Sequence, residues 1–442
     1  MRLSVVGLGK LGACAAACFA AKGFDVIGVD IDREAVNAIN EGRAPIYEPR
    51  LQELIEKAEP RLSASQDYRD AIHESDVSFL VVPTPSMPDG HFSSDFVQDA
   101  LRHLAAALKE SGKSYHLLAI SSTVSPGTTD RTLIPLVEAM SGRRLNAGFG
   151  ICYNPEFIAL GTVISDFLSP DLVLIGESND FAGEQLVKIY EQVCENRPYV
   201  ARMSIVSAEI TKLSINSYVT MKISFANTLT TICEAIPGAD IDAVTTALGA
   251  DRRIAPHYLK GGLSYGGPCF PRDNRAFVAF AREHQQDAVL AKATDTVNQT
   301  QIAHTVAKIL SHLGAGDRRR VAVLGLAYKA NTPVIEESAG VRIIEALLND
   351  DVEIIAYDPV ALDSVRGRFG DKIAYASSVK ECFTQSPLCV ITTADDRFRA
   401  ISADDIVHTP TTIIDCWRIL RPSRLGDRVK YVALGKSAAC LR

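Results

Sequence analysis

Short, almost wholly aliphatic runs recur along the chain and alternate with longer stretches of helical spacing. In the first third the runs are residues 3–6, 25–29, 77–82 and 116–121, and the segments between them read as helices. Strands that are apolar at nearly every position are buried on both faces, so this pattern predicts a parallel sheet covered by helices on both sides. The pattern changes after about residue 204. Residues 205–236 hold neither Gly nor Pro and predict one long helix, ended by Pro237-Gly238. More helical sequence runs from 273 to about 313. Alternation then resumes, with strands expected at 320–324, 352–357, 388–392 and 411–415, after a basic, polar stretch at 314–320 that reads as the end of a linker.

A faint internal repeat sharpens the division. Val5-Val6-Gly7-Leu8-Gly9 leads into a helix, and the next strand ends at Asp30; Val323-Leu324-Gly325-Leu326-Ala327 leads into a helix, and the next strand ends at Asp358. The expected fold is α/β. Two Rossmann-like, doubly wound parallel-sheet domains, 1–204 and 316–442, are joined by a central helical domain, 205–315. The second copy lacks the full glycine pattern and is not expected to hold a whole dinucleotide.

Composition narrows the function. At 442 residues the chain is too long for one ordinary domain, and its formal charge of −7 argues against nucleic acid or an anionic membrane surface as partner. The absence of a targeting segment or a bilayer-spanning run makes the cytoplasm the expected location. The ten cysteines are scattered, without CxxC pairs or Cys/His clusters at ligand spacing, so no metal is expected and most thiols should be reduced and inert.

Gly7-Leu8-Gly9-Lys10-Leu11-Gly12 follows a strand and opens a helix rich in small residues. The first Gly allows the tight turn, the second lets backbone approach a pyrophosphate, and the third lets helix and strand pack closely; the helix N-terminus supplies N–H donors. Asp30 stands where a carboxylate accepts a ribose 2′-hydroxyl and repels a 2′-phosphate, so NAD is expected rather than NADP, although Arg33 nearby is a cation able to meet that phosphate.

A second constellation is Tyr265-Gly266-Gly267-Pro268-Cys269-Phe270-Pro271-Arg272-Asp273. The glycines make a close-approach loop, and Pro271 favours the first turn of a helix. Cys269 is therefore expected just before a helix N-terminus, whose dipole favours a thiolate. Asp273, four residues on, is able to face the same pocket. Lys212 and Asn216 lie four apart on the long helix and share a face, where a cation and an amide can stabilise an oxyanion. Taken singly, each has a bland reading: a buried cysteine, or a lysine snorkelling from an amphipathic helix.

With these motifs, and with Val82-Pro83-Thr84-Pro85, Ser122-Thr123-Val124-Ser125-Pro126-Gly127-Thr128, Asn154-Pro155-Glu156-Phe157, Arg253-Ile254 and Gly325-Leu326-Ala327-Tyr328-Lys329 in order, the chain resembles the UDP-glucose/GDP-mannose dehydrogenase family from Arg2 to about Trp417. The resemblance implies oxidation of the C6 alcohol of a nucleoside-diphosphate sugar to the acid, with two NAD used in succession. UDP-glucose is the first expectation, and UDP-N-acetylhexosamine or GDP-mannose the alternative. Cys269 would form a thiohemiacetal and then a thioester, hydrolysed by water. Lys212 and Asn216 would stabilise the oxyanion, Asp273 would position Lys212 and the water, Thr123 would sit near the nicotinamide, and Glu156 would be the base of hydrolysis. Gly7 to Gly12, Asp30, Arg33, Thr84, Ser122 and Thr123 are the expected cofactor contacts. Phe157, Ile158, Lys212, Asn216, Arg253, Tyr258, Lys260, Tyr265, Gly266, Lys329 and Arg418 are the expected substrate contacts, with Arg253 reaching across a homodimer built on the long helix.

The chain departs from the family pattern at several positions. Leu160 replaces a second Glu, Ser264 a Gly, Arg272 a Lys, and Glu336 a cation near the cofactor; the end at Asp415-Cys416-Trp417-Arg418 also differs. Two other functional classes remain open from the residues alone. A two-electron β-hydroxyacid-type dehydrogenase shares the N-terminal pattern and a helix lysine, but needs no Cys269 loop. A non-catalytic NAD-binding scaffold needs none of Cys269, Lys212 and Asp273.

Overall fold

The computed structural model describes residues 1–313, 319–407 and 411–437. Two compact units partition the chain, Met1–Ser214 and Ile215–Arg442. The division falls inside the long helix Ile205–Ala235. Most of the linker expected at 314–320, and the expected boundary between 315 and 316, lie outside the described residues.

The first unit is built on eight strands: β1 (Arg2–Val6), β2 (Asp25–Val29), β3 (Leu62–Ser65), β4 (Val77–Leu80), β5 (Leu117–Ile120), β6 (Gly150–Tyr153), β7 (Leu172–Glu177) and β8 (Tyr199–Ser204). They lie in the order β3-β2-β1-β4-β5-β6-β7-β8. The first six are mutually parallel, β6 meets β7 antiparallel, and β7 and β8 are parallel to each other. Reversal of strand order at β1 and β4 opens the crevice where α/β sheets bind ligands. Helix Gly12–Ala21 is buried from Gly12 to Ala20 because Gly, Ala and Cys leave no bulk between it and the sheet. Burial pushes the Cys18 and Cys152 thiols up to about 12 and raises Cys14 further, so these are inert apolar filler.

In the second unit, β9 (Arg320–Leu324), β10 (Glu353–Tyr357), β11 (Ala374–Tyr375), β12 (Leu388–Ile391), β13 (Thr411–Asp415) and β14 (Val429–Ala433) form a six-stranded sheet in the order β11-β10-β9-β12-β13-β14. Every strand pair in it is parallel. The fold is thus α/β, with two doubly wound sheets and a helical region between them in the chain.

One expectation needs correction, and one is refined. The segment between β2 and β4 contains strand β3, an edge strand of Leu62-Ser63-Ala64-Ser65 with no β-branched residue to announce it. The helical stretch expected from 273 to about 313 is two helices, Phe270–Glu283 and Val289–His312, separated where Gln285 takes a positive φ. Among the described residues no helix is long and apolar enough to cross a membrane, and no group of three or more His, Cys, Asp or Glu side chains is placed to hold a metal ion.

Candidate active site

The glycine turn after β1 has the geometry its sequence requires. Gly7 takes a φ of +97°, its N–H donates to Val29 O at 2.7 Å, and a Cβ there would overlap the Val81 carbonyl. A Cβ on Gly12 would overlap the Gly7 carbonyl, so only Gly lets the helix start this close to the strand. At Gly9 a Cβ would meet nothing within 4 Å. That open space in front of a helix N-terminus is what a pyrophosphate needs, and the residues fit NAD. Asp30 accepts the Leu8 N–H and, at 2.8 Å, the Asp32 N–H, one on each oxygen. Its remaining lone pairs are open to a ribose diol. Lys10 and Arg33 are exposed beside this turn and Leu11 is half-buried.

The neighbouring loops hold Thr84 and Ser122, both buried. The Ser122 hydroxyl accepts from Val82 N at 2.9 Å and donates to Val82 O at 2.8 Å. The side chain pins the Val82-Pro83-Thr84 backbone. Thr123 follows, half-buried. Its loop is tied down by Glu209, whose fully buried carboxylate accepts the N–H groups of Gly127 and Thr129.

Lys212 sits one turn further along the same helix and is 6% exposed. Its Nζ donates to the Glu156 carbonyl at 2.7 Å and lies 4.6 Å from the centre of the Phe157 ring. The Glu156 side chain accepts from Tyr190 Oη at 2.8 Å. Burial pushes its carboxyl up to about 7, against the Tyr190 hydrogen bond and the Lys212 charge. Ile158 and Leu160 pack against the apolar core of the same unit. Leu160 thus fills hydrophobic space where the family pattern has a carboxylate.

In the second unit Cys269 occupies the N-cap of helix Phe270–Glu283, with Pro in the first turn and an exposed side chain. It differs in this from the buried thiols of the sheets. The Cys269 carbonyl accepts the Asp273 N–H at 2.8 Å. Asp273 is 2% exposed and accepts from Asn216 Nδ2 at 2.6 Å through Oδ2. Its buried Oδ1 has no hydrogen-bond partner, with Arg272 Nε at ion-pair range, 3.6 Å. Phe270, the residue after the thiol, is flanked by the rings of Tyr258 and Tyr265 at 6.1 and 6.3 Å. Tyr265 is itself fixed, its N–H to Asn298 Oδ1 at 2.8 Å and its hydroxyl to Asp295 at 2.7 Å.

Gly266 and Gly267 serve the protein's own backbone. A Cβ on Gly266 would overlap the Glu337 carbonyl, and one on Gly267, at φ +85°, would enter the Tyr328 ring. The Gly267 N–H donates to Glu336 O at 3.0 Å. Both glycines thereby brace the loop: the segment 328–338, which carries Lys329, is laid against the thiol loop. The exposed Glu336 side chain stands where a cation was expected, while its carbonyl does the bracing.

The internal repeat is visible in hydrogen bonds. Gly325 repeats Gly7, with φ +94° and its N–H on Tyr357 O at 2.9 Å. Gly340 repeats Gly12, since a Cβ there would sit 2.6 Å from Gly325 O. Asp358, however, accepts four N–H groups, from Leu326, Ala327, Val360 and Ala361. A carboxylate has about four acceptor sites, so Asp358 has none left for a ribose.

Arg418 is held by the second unit itself. Expected as a nucleotide contact, it is 3% exposed, paired with Asp242 at 2.9 Å, and donates to the carbonyls of Cys416, Leu434 and Gly261. Four of its five N–H donors are engaged inside the unit. Its charge still acts on Lys260, whose ammonium is held below its ordinary value by burial first and by Arg418 second. Arg253 is exposed and paired with Asp251 at 2.6 Å.

Comparison with known proteins agrees along the whole chain. Residues 1–194 match the NAD binding domain of the UDP-glucose/GDP-mannose dehydrogenase family, 206–300 its central domain and 322–422 its UDP binding domain. The chain is 39% identical to the UDP-glucose 6-dehydrogenase AglM of Haloferax volcanii, covering 95% of this chain and 97% of that one. It is 32% identical to the GDP-mannose 6-dehydrogenase of Pseudomonas syringae pv. tomato, over 91% and 93% of the two chains. The solved UDP-glucose dehydrogenase of Pyrobaculum islandicum superposes with a TM-score of 0.89 at 31% identity, over 98% of each chain. The chain belongs to the UDP-glucose/GDP-mannose dehydrogenase family and is an NAD-dependent oxidoreductase.

Proposed function

We propose that the protein oxidises the C6 alcohol of UDP-glucose to the carboxylate in one four-electron sequence through a thioester on Cys269. The observation that carries the reading is the contrast among thiols: Cys269 is exposed at a helix N-cap, where the dipole favours thiolate, while Cys18 and Cys152 are buried and pushed up. Bound NAD supplies the hydride acceptor for each oxidation. Cys269 forms the S–C6 bond to the aldehyde. Lys212 and Asn216 donate to the oxygen that gains charge, Thr123 orients the reacting centre, and Glu156 takes the proton of the hydrolysing water. Asp273 holds Asn216 through its Oδ2 and keeps Oδ1 for water. Lys260, Lys329, Tyr258, Tyr265, Phe157 and Ile158 are assigned to the nucleotide sugar.

UDP-glucose is favoured because the 39%-identical relative is named a UDP-glucose 6-dehydrogenase. GDP-mannose is the second reading, from relatives at 32% identity. A panel of nucleotide sugars with NAD, read by NADH absorbance, decides between them, and silence with every sugar refutes an enzyme of this kind. Cys269→Ala separates this chemistry from a two-electron dehydrogenase, which would keep its rate. A homodimer belongs to the same proposal: Tyr218, Phe225 and Ile232, spaced seven apart on the long helix, are 60%, 53% and 47% exposed. Phe225→Asp is expected to yield a monomer in sedimentation, and an unchanged mass would refute that surface.

A further inference from the structure

Glu156 lies at the end of a line of buried oxygens. Tyr190 Oη is 2.7 Å from Asn154 Oδ1 and 2.8 Å from Glu156 Oε1. The Asn154 amide cannot turn round to offer a proton. Its Nδ2 donates to Leu174 O at 3.0 Å, and reversing it would set two carbonyl oxygens against each other. Its backbone is held too, with Asn154 N on Ile120 O at 2.8 Å.

A phenol carries one proton. When Glu156 is ionised, Tyr190 can satisfy either the carboxylate or the Asn154 carbonyl, and one close contact remains oxygen against oxygen. When Glu156 is protonated the count closes: the carboxyl O–H donates to Tyr190, and the Tyr190 O–H donates to Asn154. Buried polar lines favour the state in which every member is satisfied. We propose that Asn154 is a positioning residue that accepts the Tyr190 proton and so withholds it from the carboxylate, leaving Glu156 a neutral acid at rest, the Tyr190 hydroxyl turning from Asn154 to Glu156 when the carboxyl proton is lost to solvent. The carboxylate then takes a proton from the attacking water, and the hydroxyl turns back. This rests on the reading of Glu156 as the hydrolytic base.

The groups facing Glu156 from the surrounding elements are few. Tyr190 reaches it from helix Asp180–Val193, Cys194 follows that helix, Cys18 reaches it from helix Gly12–Ala21, and Lys212 from helix Ile205–Ala235. Burial pushes Cys18 and Cys194 up to about 12 and about 11, so both stay neutral near pH 7. Lys212 is the one charge among them and holds the Glu156 carbonyl. Burial of Glu156 raises its pKa against the Tyr190 hydrogen bond and the Lys212 charge, and drawing the Tyr190 proton to Asn154 acts in the same direction as burial.

The test is the infrared carbonyl band of the protonated carboxyl, followed with pH in the whole protein and assigned by its loss in Glu156→Gln. Asn154→Leu frees the Tyr190 proton for the carboxylate, so the midpoint should fall by about one pH unit, a tenfold change. Tyr190→Phe removes the donor to the carboxylate, so the midpoint should rise. Because Asn154 acts only through Tyr190, the double variant should match Tyr190→Phe alone. If Asn154→Leu does not fold, 3-fluorotyrosine at position 190, a stronger donor of nearly the same shape, should lower the midpoint. Midpoints that stay put, move in the same direction in both single variants, or add in the double variant overturn the proposal. Acid formation by Glu156→Gln tests the hydrolysis reading separately: if it persists, that reading fails while the midpoints still judge the oxygen line.

Discussion

Replacing Gly266 by Ala should cripple catalysis while leaving most of the fold intact. The added Cβ would overlap the Glu337 carbonyl oxygen and lie 2.9 Å from its carbon and 3.4 Å from Ser338 N. All three obstacles are backbone, so no side chain can swing away. Restoring ordinary van der Waals separation needs a displacement on the order of 1 Å. Overpacking of this kind costs about 1–3 kcal/mol of stability. Displacing a nucleophile by about 1 Å costs on the order of a hundredfold in rate, and Cys269 is three residues away on the same loop. Steady-state NADH production gives kcat, and a thermal melt beside it reports whether the protein is folded. A folded Gly266→Ala protein with wild-type kcat would refute the claim that this glycine exists to let segment 328–338 brace the thiol loop.

Gly9→Ala should do the reverse of a packing mutation: with nothing within 4 Å of its Cβ, the melt should be unchanged while KM for NAD rises about tenfold or more, equivalent to about 1.4 kcal/mol. Arg418→Leu strands the carbonyls of Cys416, Leu434 and Gly261 and leaves Asp242 with Lys436 at 3.6 Å, and should cost about 2–4 kcal/mol in denaturant titration; a raised substrate KM with unchanged stability would favour the nucleotide-contact reading. The folded-state pKa of Glu156 is raised from 4.5 to about 7, so the stability it contributes is fully present below 4.5 and is lost as pH rises through about 7. Denaturant midpoints between those values should therefore fall more steeply in wild type than in Glu156→Gln, and equal slopes would show that the carboxyl is not held neutral.

The legible parts of the sequence were those where local chemistry decides. Runs apolar at every position, such as residues 321–324, and the turn from Gly7 to Asp30 declare themselves because a buried strand and a positive φ each admit few residue types. The placement of Cys269 followed from Pro271, which marks a helix start. What stayed hidden depends on partners distant in sequence. Arg418 finds Asp242 across 176 positions, a pairing that no local pattern announces. Gly340 takes the part of Gly12 only because the segment after β9 is longer, which breaks the spacing that a motif search reads. Tyr190 sits on a helix face where a core aromatic is the ordinary reading, and only the positions of Asn154 and Glu156 reveal its hydroxyl. Strand β3 was missed because four residues with two serines are too few and too polar to signal a sheet edge.

The central claim is that Cys269 holds the substrate through both oxidations, so the two cannot be uncoupled. The most direct measurement is the number of NADH formed per sugar acid released in a single turnover, with free aldehyde assayed in the same sample. Two NADH per acid and no accumulated aldehyde are expected. One NADH per sugar, with aldehyde or ketone as the final product, would contradict it.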